Sequence, residues 1–156
     1  MNLTPEILVV DDNPADVALV RESLAETAHQ SCVHSVTDAD QALAYLRRQG
    51  RYTATGRPDL VILDLNLPHR DGHKVLASLK SRAELRHIPV VVFSSAGSNE
   101  DIVRSYKLGA SCYVGKPADL KRFFSTVRAI EEFWFSYASL PQKEHDERSS
   151  YACVAD

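Results

Sequence analysis

Cysteine is scarce and scattered in this chain: Cys32, Cys112 and Cys153 stand far apart, with no Cys-x-x-Cys pair. That spacing speaks against a thiolate metal cage and leaves all three thiols expected in the reduced state. No HExxH motif or Cys/His cluster marks a transition-metal site, and the six histidines are dispersed without an evident partner. Neither GxGxxG nor GxxxxGK[ST] occurs, which disfavours dinucleotide and P-loop nucleotide binding. Positive charge is not in excess either. Lys and Arg number 18 against 21 Asp and Glu, a net charge of -3, so no nucleic-acid surface is expected. Apolar runs are too short to span a bilayer, and the start MNLTPEILVV lacks the layout of a cleavable leader. A cytoplasmic protein is the expectation.

What is present suits one domain with a real core: 156 residues, 44% hydrophobic and 25% charged. Five short apolar runs read as strands: 6–10 (EILVV), 32–36 (CVHSV), 60–63 (LVIL), 88–93 (IPVVVF) and 111–114 (SCYV). Three of them are almost wholly apolar, as parallel strands covered on both faces are. Helices are expected over 14–27, 38–49, 72–82, 99–109 and 118–136. Val17, Val20 and Leu24 form the inward stripe of the first, and Ala42, Leu43 and Leu46 that of the second. Pro14 suits a first turn, capped by Asn13 or Asp12, while Gly50 and Gly109 suit left-handed helix stops. Strict alternation implies an α/β domain, a parallel sheet with helices on both faces, over residues 1–140. From Pro141 the composition turns polar without apolar periodicity, so 141–156 is expected to be a disordered tail.

Ligands of doubly wound sheets bind at the carboxyl ends of the strands. Here strand one ends in Asp11-Asp12, strand three in Asp64, strand four in Ser94-Ser95, and strand five in Gly115-Lys116-Pro117. Taken singly, each has an ordinary role: Asp11 or Asp12 as a helix cap, Asp64 and Ser94 in turns, Lys116 as a surface lysine. Their coincidence at four strand ends outweighs those readings. Clustered carboxylates repel unless a cation is present, and hard oxygen donors suit Mg²⁺, which needs one or two carboxylates and keeps its waters. Asp12 and Asp64 can ligate it, with Asp11 holding a metal-bound water. Asp64 is then the natural nucleophile for phosphoryl transfer, a reaction that depends on positioning and charge neutralisation. Lys116 would share the phosphoryl charge, and the Ser94 hydroxyl would donate to a phosphoryl oxygen.

The segments ILVVDDNPAD, LVILDLNLPHRDG, IPVVVFSS and YVGKP resemble, in order and spacing, the receiver domains of bacterial response regulators over about residues 5–136. The resemblance implies a flavodoxin-like (βα)5 fold with strand order 2-1-3-4-5, Mg²⁺ dependence and phosphotransfer from a histidine kinase. By position it implies Asp64 as phosphoacceptor, Asp12 as metal ligand assisted by Asp11, and Asn66 lending its backbone carbonyl. It also implies Ser94 and Tyr113 as switch residues, and Lys116 as the phosphate-binding lysine before a typically cis Pro117. Ser95 is small enough to admit the phosphodonor. Leu65 beside the acceptor and Ala96 beyond the hydroxyl offer little help to an attacking water, so slow dephosphorylation is expected. His69, five residues past Asp64, is expected to face solvent.

The runs DLNLPHRDG, SYKLGASCYVGKP and IEEFWFSYASLP resemble the small regulators paired with bacterial and cyanobacterial phytochromes, implying a phytochrome-type kinase as partner. Nothing after residue 140 can form a DNA-binding helix pair, so output is expected through a downstream phosphotransfer or effector protein, or a homodimer. The rival class is an aspartyl-phosphate phosphohydrolase, which often carries an acid two residues past its nucleophile. That place holds Asn66, which cannot do acid–base work. In the last helix Leu120, Phe123, Val127, Ile130 and Trp134 form a core-facing stripe, flanked by Phe124 and Phe135 on one side and Phe133 and Tyr137 on the other. That surplus of rings favours a homodimer through this helix over a tail folded back within one subunit.

Overall fold

The computed structural model describes residues 4–95 and 97–142. Five parallel strands, β1 (Glu6–Val10), β2 (Cys32–Val36), β3 (Leu60–Leu63), β4 (Val90–Ser94) and β5 (Cys112–Gly115), form one sheet in the order β2-β1-β3-β4-β5. They alternate with α1 (Pro14–Ala25), α2 (Ala39–Leu46), α3 (Gly72–Ser81), α4 (Asn99–Lys107) and α5 (Leu120–Glu132). This is the flavodoxin-like order expected.

Successive side chains of a strand point to opposite faces. Ile7, Val9, Leu60, Ile62, Val91 and Phe93 therefore pack against α1 and α5, where Val20, Leu24, Phe123, Val127 and Ile130 meet them. Leu8, Val10, Val61, Leu63, Val90 and Val92 pack on the other face with Ala42, Leu46, Val75, Leu76 and Leu79 of α2 and α3. Strands buried on both sides need no polar alternation, which is why LVIL reads as a continuous apolar run. Each such side chain contributes about 1.5–3 kcal/mol by burial.

Element ends depart from expectation for local reasons. Pro89 has no N–H to donate, so β4 pairing starts at Val90, not Ile88. α2 stops at Leu46 because Arg48 takes the left-handed conformation (φ 56°), ahead of Gly50. Gly109 is left-handed after α4, as expected. α5 gives way at Phe133 to a wider π-helical turn (Phe133–Tyr137), closed by the Ala138 N–H donating to the Phe133 carbonyl at 2.8 Å. Leu120 is 54% exposed rather than part of the core stripe, since α5 opens beyond the end of β5, where no strand lies beneath it.

Cys112 carries a free, half-buried thiol. Cys32 is disulfide-bonded, against the expectation of reduced thiols throughout; Cys153 lies outside the described residues. So does the tail expected to be disordered, apart from Pro141 and Gln142.

Candidate functional site

Register brings the functional groups level. Val10 pairs with Val36 and Leu63, Leu63 pairs with Val92, and Ser94 pairs with Gly115. The residues that follow continue the ladder: the Asp11 N–H donates to the Val36 carbonyl at 3.1 Å, Asp64 to Val10 at 2.9 Å and Lys116 to Ser94 at 2.8 Å. Because β1 neighbours both β2 and β3, its crossovers diverge, and Asp11 and Asp64 stand at the crevice between β1 and β3.

Asp64 is buried, 5% exposed. Its Oδ1 accepts from the Ser94 hydroxyl at 2.8 Å and the Asn66 backbone N–H at 2.9 Å. Its Oδ2 accepts from Lys116 Nζ at 3.0 Å. Lys116 also donates to Asp11 Oδ2 at 2.7 Å and to Asp16 Oδ2 at 2.8 Å. Burial alone would lower the pKa of Lys116, but its hydrogen bonds to Asp11, Asp16 and Asp64 outweigh that and raise it. Burial pushes the Asp11 carboxyl above its usual range, against the opposing pull of Lys116 and the Asn13 N–H.

Oxygens of Asp11, Asp12 and Asp64 lie within 4.8 Å of one another, with Asp12 exposed and the other two buried. An all-carboxylate, one-sided cluster suits a hard divalent cation that keeps part of its water shell. The residues fit the expected metal. Asn13, the N-cap of α1, accepts from the Ala15 and Asp16 N–H groups, which frees Asp11 and Asp12 from capping. Asn66 is exposed, and its side-chain amide reaches Ser94 Oγ at 3.4 Å. Ser95 is exposed beside it.

Tyr113 lies beneath Gly97, where an added Cβ would fall 2.2 Å from its hydroxyl. Burial raises its phenol pKa, with the Ser94 hydroxyl nearby; among the described residues its oxygen closes no hydrogen bond. Gly72 packs with equal closeness over the acceptor loop: a Cβ there would fall 2.4 Å from Leu65 Cα.

Several expectations need correction. The Lys116–Pro117 peptide is trans, since no described peptide bond is cis; trans is the intrinsically favoured isomer of an X–Pro bond. Leu65 points into the core with Val75 and Leu76, so Asn66, not Leu65, stands beside the acceptor. The histidines are not all partnerless: buried His73 of α3 lies 3.1 Å from Ser105 Oγ of α4, and His29 lies 2.7 Å from Ser136 Oγ. His69 is exposed, as expected, and Ala96 lies outside the described residues. The rings of the last helix divide. Phe135 packs on His29 at 6.0 Å between centroids, and Phe124 lies under the Arg128 guanidinium at 5.9 Å. Phe133 and Tyr137 are 53% and 75% exposed. Asp16 was not anticipated; its one signal is its place on the first turn of α1, just after Asp11-Asp12.

A five-stranded 2-1-3-4-5 sheet with a carboxylate cluster, a hydroxyl and a lysine at its switch point defines a phosphoacceptor signalling domain. The chain belongs to the response regulator receiver domain family, whose model matches residues 7–128. Among curated proteins it is 41% identical over 135 residues to response regulator Rcp1 of Synechocystis sp., covering 86% of this chain and 92% of that one. Among solved structures it is similar to the phosphorylated cyanobacterial phytochrome response regulator RcpA (46% identity, TM-score 0.86, 90% of this chain and 100% of that one). It is also similar to the Mn²⁺-bound form of Rcp1 (40% identity, TM-score 0.84, 88% and 99%). Among the described residues no helix is long and apolar enough to cross a membrane.

Proposed function

We propose that this receiver accepts a phosphoryl group on Asp64 from a phytochrome-type sensor histidine kinase and signals by protein contacts. The observation that carries the reading is the pairing of Asp64 with Lys116 at 3.0 Å beside the Asp11, Asp12 and Asp64 cluster. An Asp64 carboxylate oxygen attacks phosphorus, the donor's N–P bond breaks, and the leaving imidazole keeps the electron pair and takes up a proton. Asp12, Asp64 and the Asn66 backbone carbonyl would hold Mg²⁺, with Asp11 assisting through water, and the ion would supply charge neutralisation for the transferring group. Lys116 binds a phosphoryl oxygen. Ser94 turns its hydroxyl from Asp64 Oδ1 to the phosphoryl group, and Tyr113, already turned inward beneath Gly97, is held there by that move. Ser95 leaves the entrance open.

The phytochrome pairing is supported by the likeness to RcpA, a phytochrome response regulator by description. A downstream phosphotransfer or effector protein receives the signal. Two protomers associate through the end of α5, where Phe133 and Tyr137 offer exposed rings. Slow dephosphorylation follows from Asn66, which lacks an acid–base group beside the acceptor.

Incubation with acetyl phosphate, with and without Mg²⁺, tests the central step on phosphate-retarding gels. Label is expected on Asp64 only, and Asp64→Asn abolishes it while the fold persists. Label on another aspartate in that variant sinks the assignment.

A further inference from the structure

We infer that Asp16 is a positioning residue for phosphoryl transfer: it keeps the Lys116 ammonium directed at Asp64 when a cation takes up the charge of Asp11 and Asp12. The inference rests on Asp64 being the acceptor and adds a residue to that site.

A lysine ammonium has three N–H donors on a flexible stem and no directional preference of its own. Here each has a carboxylate partner, Asp11 at 2.7 Å, Asp16 at 2.8 Å and Asp64 at 3.0 Å, so its orientation is fully determined. The three acceptors come from different elements. Asp11 and Asp64 project from the ends of β1 and β3, whereas Asp16 reaches in from the first turn of α1, where Asn13 Oδ1 accepts its backbone N–H at 3.3 Å.

The partners are not equivalent once a metal binds. Asp11 and Asp64 belong to the cluster that can surround a cation; Asp16 does not. With a divalent ion bound there, those two carboxylates would share their charge between ion and lysine, and Asp16 would keep its own for Lys116 alone. Phosphorylation then replaces the Asp64 acceptor with a phosphoryl oxygen. Through both changes Asp16 is the constant anchor, and it holds the third N–H where that oxygen arrives. The Lys116 side chain is only 6% exposed, so water is a poor substitute.

The test uses the full chain with acetyl phosphate. At saturating Mg²⁺, Asp16→Ala is expected to slow phosphorylation about tenfold, the order of one lost charge-assisted hydrogen bond. Its Mg²⁺ affinity, by calorimetry, stays within about twofold, and Asp16→Asn, which keeps an acceptor oxygen, recovers most of the rate. In a Lys116→Met background Asp16→Ala adds no further loss, because both act through one interaction. Nitrogen-15 NMR of the Mg²⁺-loaded protein reads the same point without turnover. The Lys116 ammonium protons are expected to be visible in wild type and Asp16→Asn, and lost to solvent exchange in Asp16→Ala. An unchanged rate, a loss explained by weaker Mg²⁺ binding, an equal loss in the Lys116→Met background, or an undiminished ammonium signal in Asp16→Ala overturns the inference. A wild type with no label on Asp64 instead overturns the acceptor assignment.

Discussion

Replacing Lys116 with methionine keeps the aliphatic stem and removes the ammonium. Oxygens of Asp11, Asp16 and Asp64 then lose the donor they share. The Asp16 side chain is 23% exposed and rehydrates, whereas those of Asp11 and Asp64 are 5% exposed and do not. Stripping one partner from a buried ion pair costs ~3–5 kcal/mol. Protonation of a stranded carboxyl caps that cost at about 4 kcal/mol near neutral pH, from roughly three pH units above the usual Asp value at about 1.4 kcal/mol each. A loss of about 3–4 kcal/mol is therefore expected in metal-free buffer at neutral pH. Its pH dependence follows from Asp11, whose carboxyl is raised by burial even with Lys116 present. A carboxyl raised in the folded state binds its proton there before the unfolded chain does. It therefore costs stability above its folded pKa, a cost that fades as pH falls toward the unfolded value. Without Lys116 the shift is larger, so the deficit relative to wild type shrinks to about 1.5 kcal/mol at roughly pH 5. Urea unfolding in EDTA at the two pH values measures this, and added Mg²⁺ is expected to restore stability by replacing the missing cation. A neutral-pH deficit below about 1 kcal/mol, the scale of an exposed pair, or one that widens on acidification refutes the reasoning.

Asp12→Ala is expected to remove most of the thermal stabilisation that Mg²⁺ gives wild type, which a melting series in Mg²⁺ reads directly; an unchanged shift excludes Asp12 as ligand. Gly97→Ala places a methyl group 2.2 Å from the Tyr113 hydroxyl, so the ring must leave its inward position, at a cost of about 1–3 kcal/mol. Loss of nuclear Overhauser contacts between Tyr113 and Ser94 checks it, and their retention counts against Tyr113 lying under Gly97. The double substitution Phe133→Ala, Tyr137→Ala is expected to lower the sedimentation coefficient without loss of stability, because both rings are exposed. Phe135→Ala is expected instead to destabilise the fold, since that ring packs against His29. A wild type that stays monomeric at high micromolar concentration rules the dimer out.

The five-element alternation matches the structure because it rests on patterns written locally along the chain, whereas the strand order, which also matches, rests on the receiver-domain resemblance. LVIL followed by Asp64, and EILVV followed by Asp11-Asp12, place carboxylates at strand ends whatever the helices do. A parallel sheet then brings those ends to one edge. Asp64, Asp11, Asp12, Ser94 and Lys116 were legible for this reason. The exposed position of Leu120 was not, because helical spacing says which residues share a face and nothing of where the sheet beneath them stops.

Sequence by itself thus determined the class of fold, the edge that carries the chemistry and the residue types gathered there. Tertiary structure decided which way those residues point and whom they meet. Leu65 and Asn66 are adjacent in the chain, yet one enters the core and the other flanks the acceptor. Asp16 reads as one more first-turn acid until the packing of α1 against α5 and their shared face of the sheet sets it 2.8 Å from Lys116, 100 residues away. His73 and Ser105 meet only because α3 lies against α4. The division has one physical cause. Hydrophobic periodicity acts between neighbours in the chain, whereas hydrogen bonds and ion pairs of this kind depend on distances set to within a few tenths of an ångström between elements that only the packed core brings together.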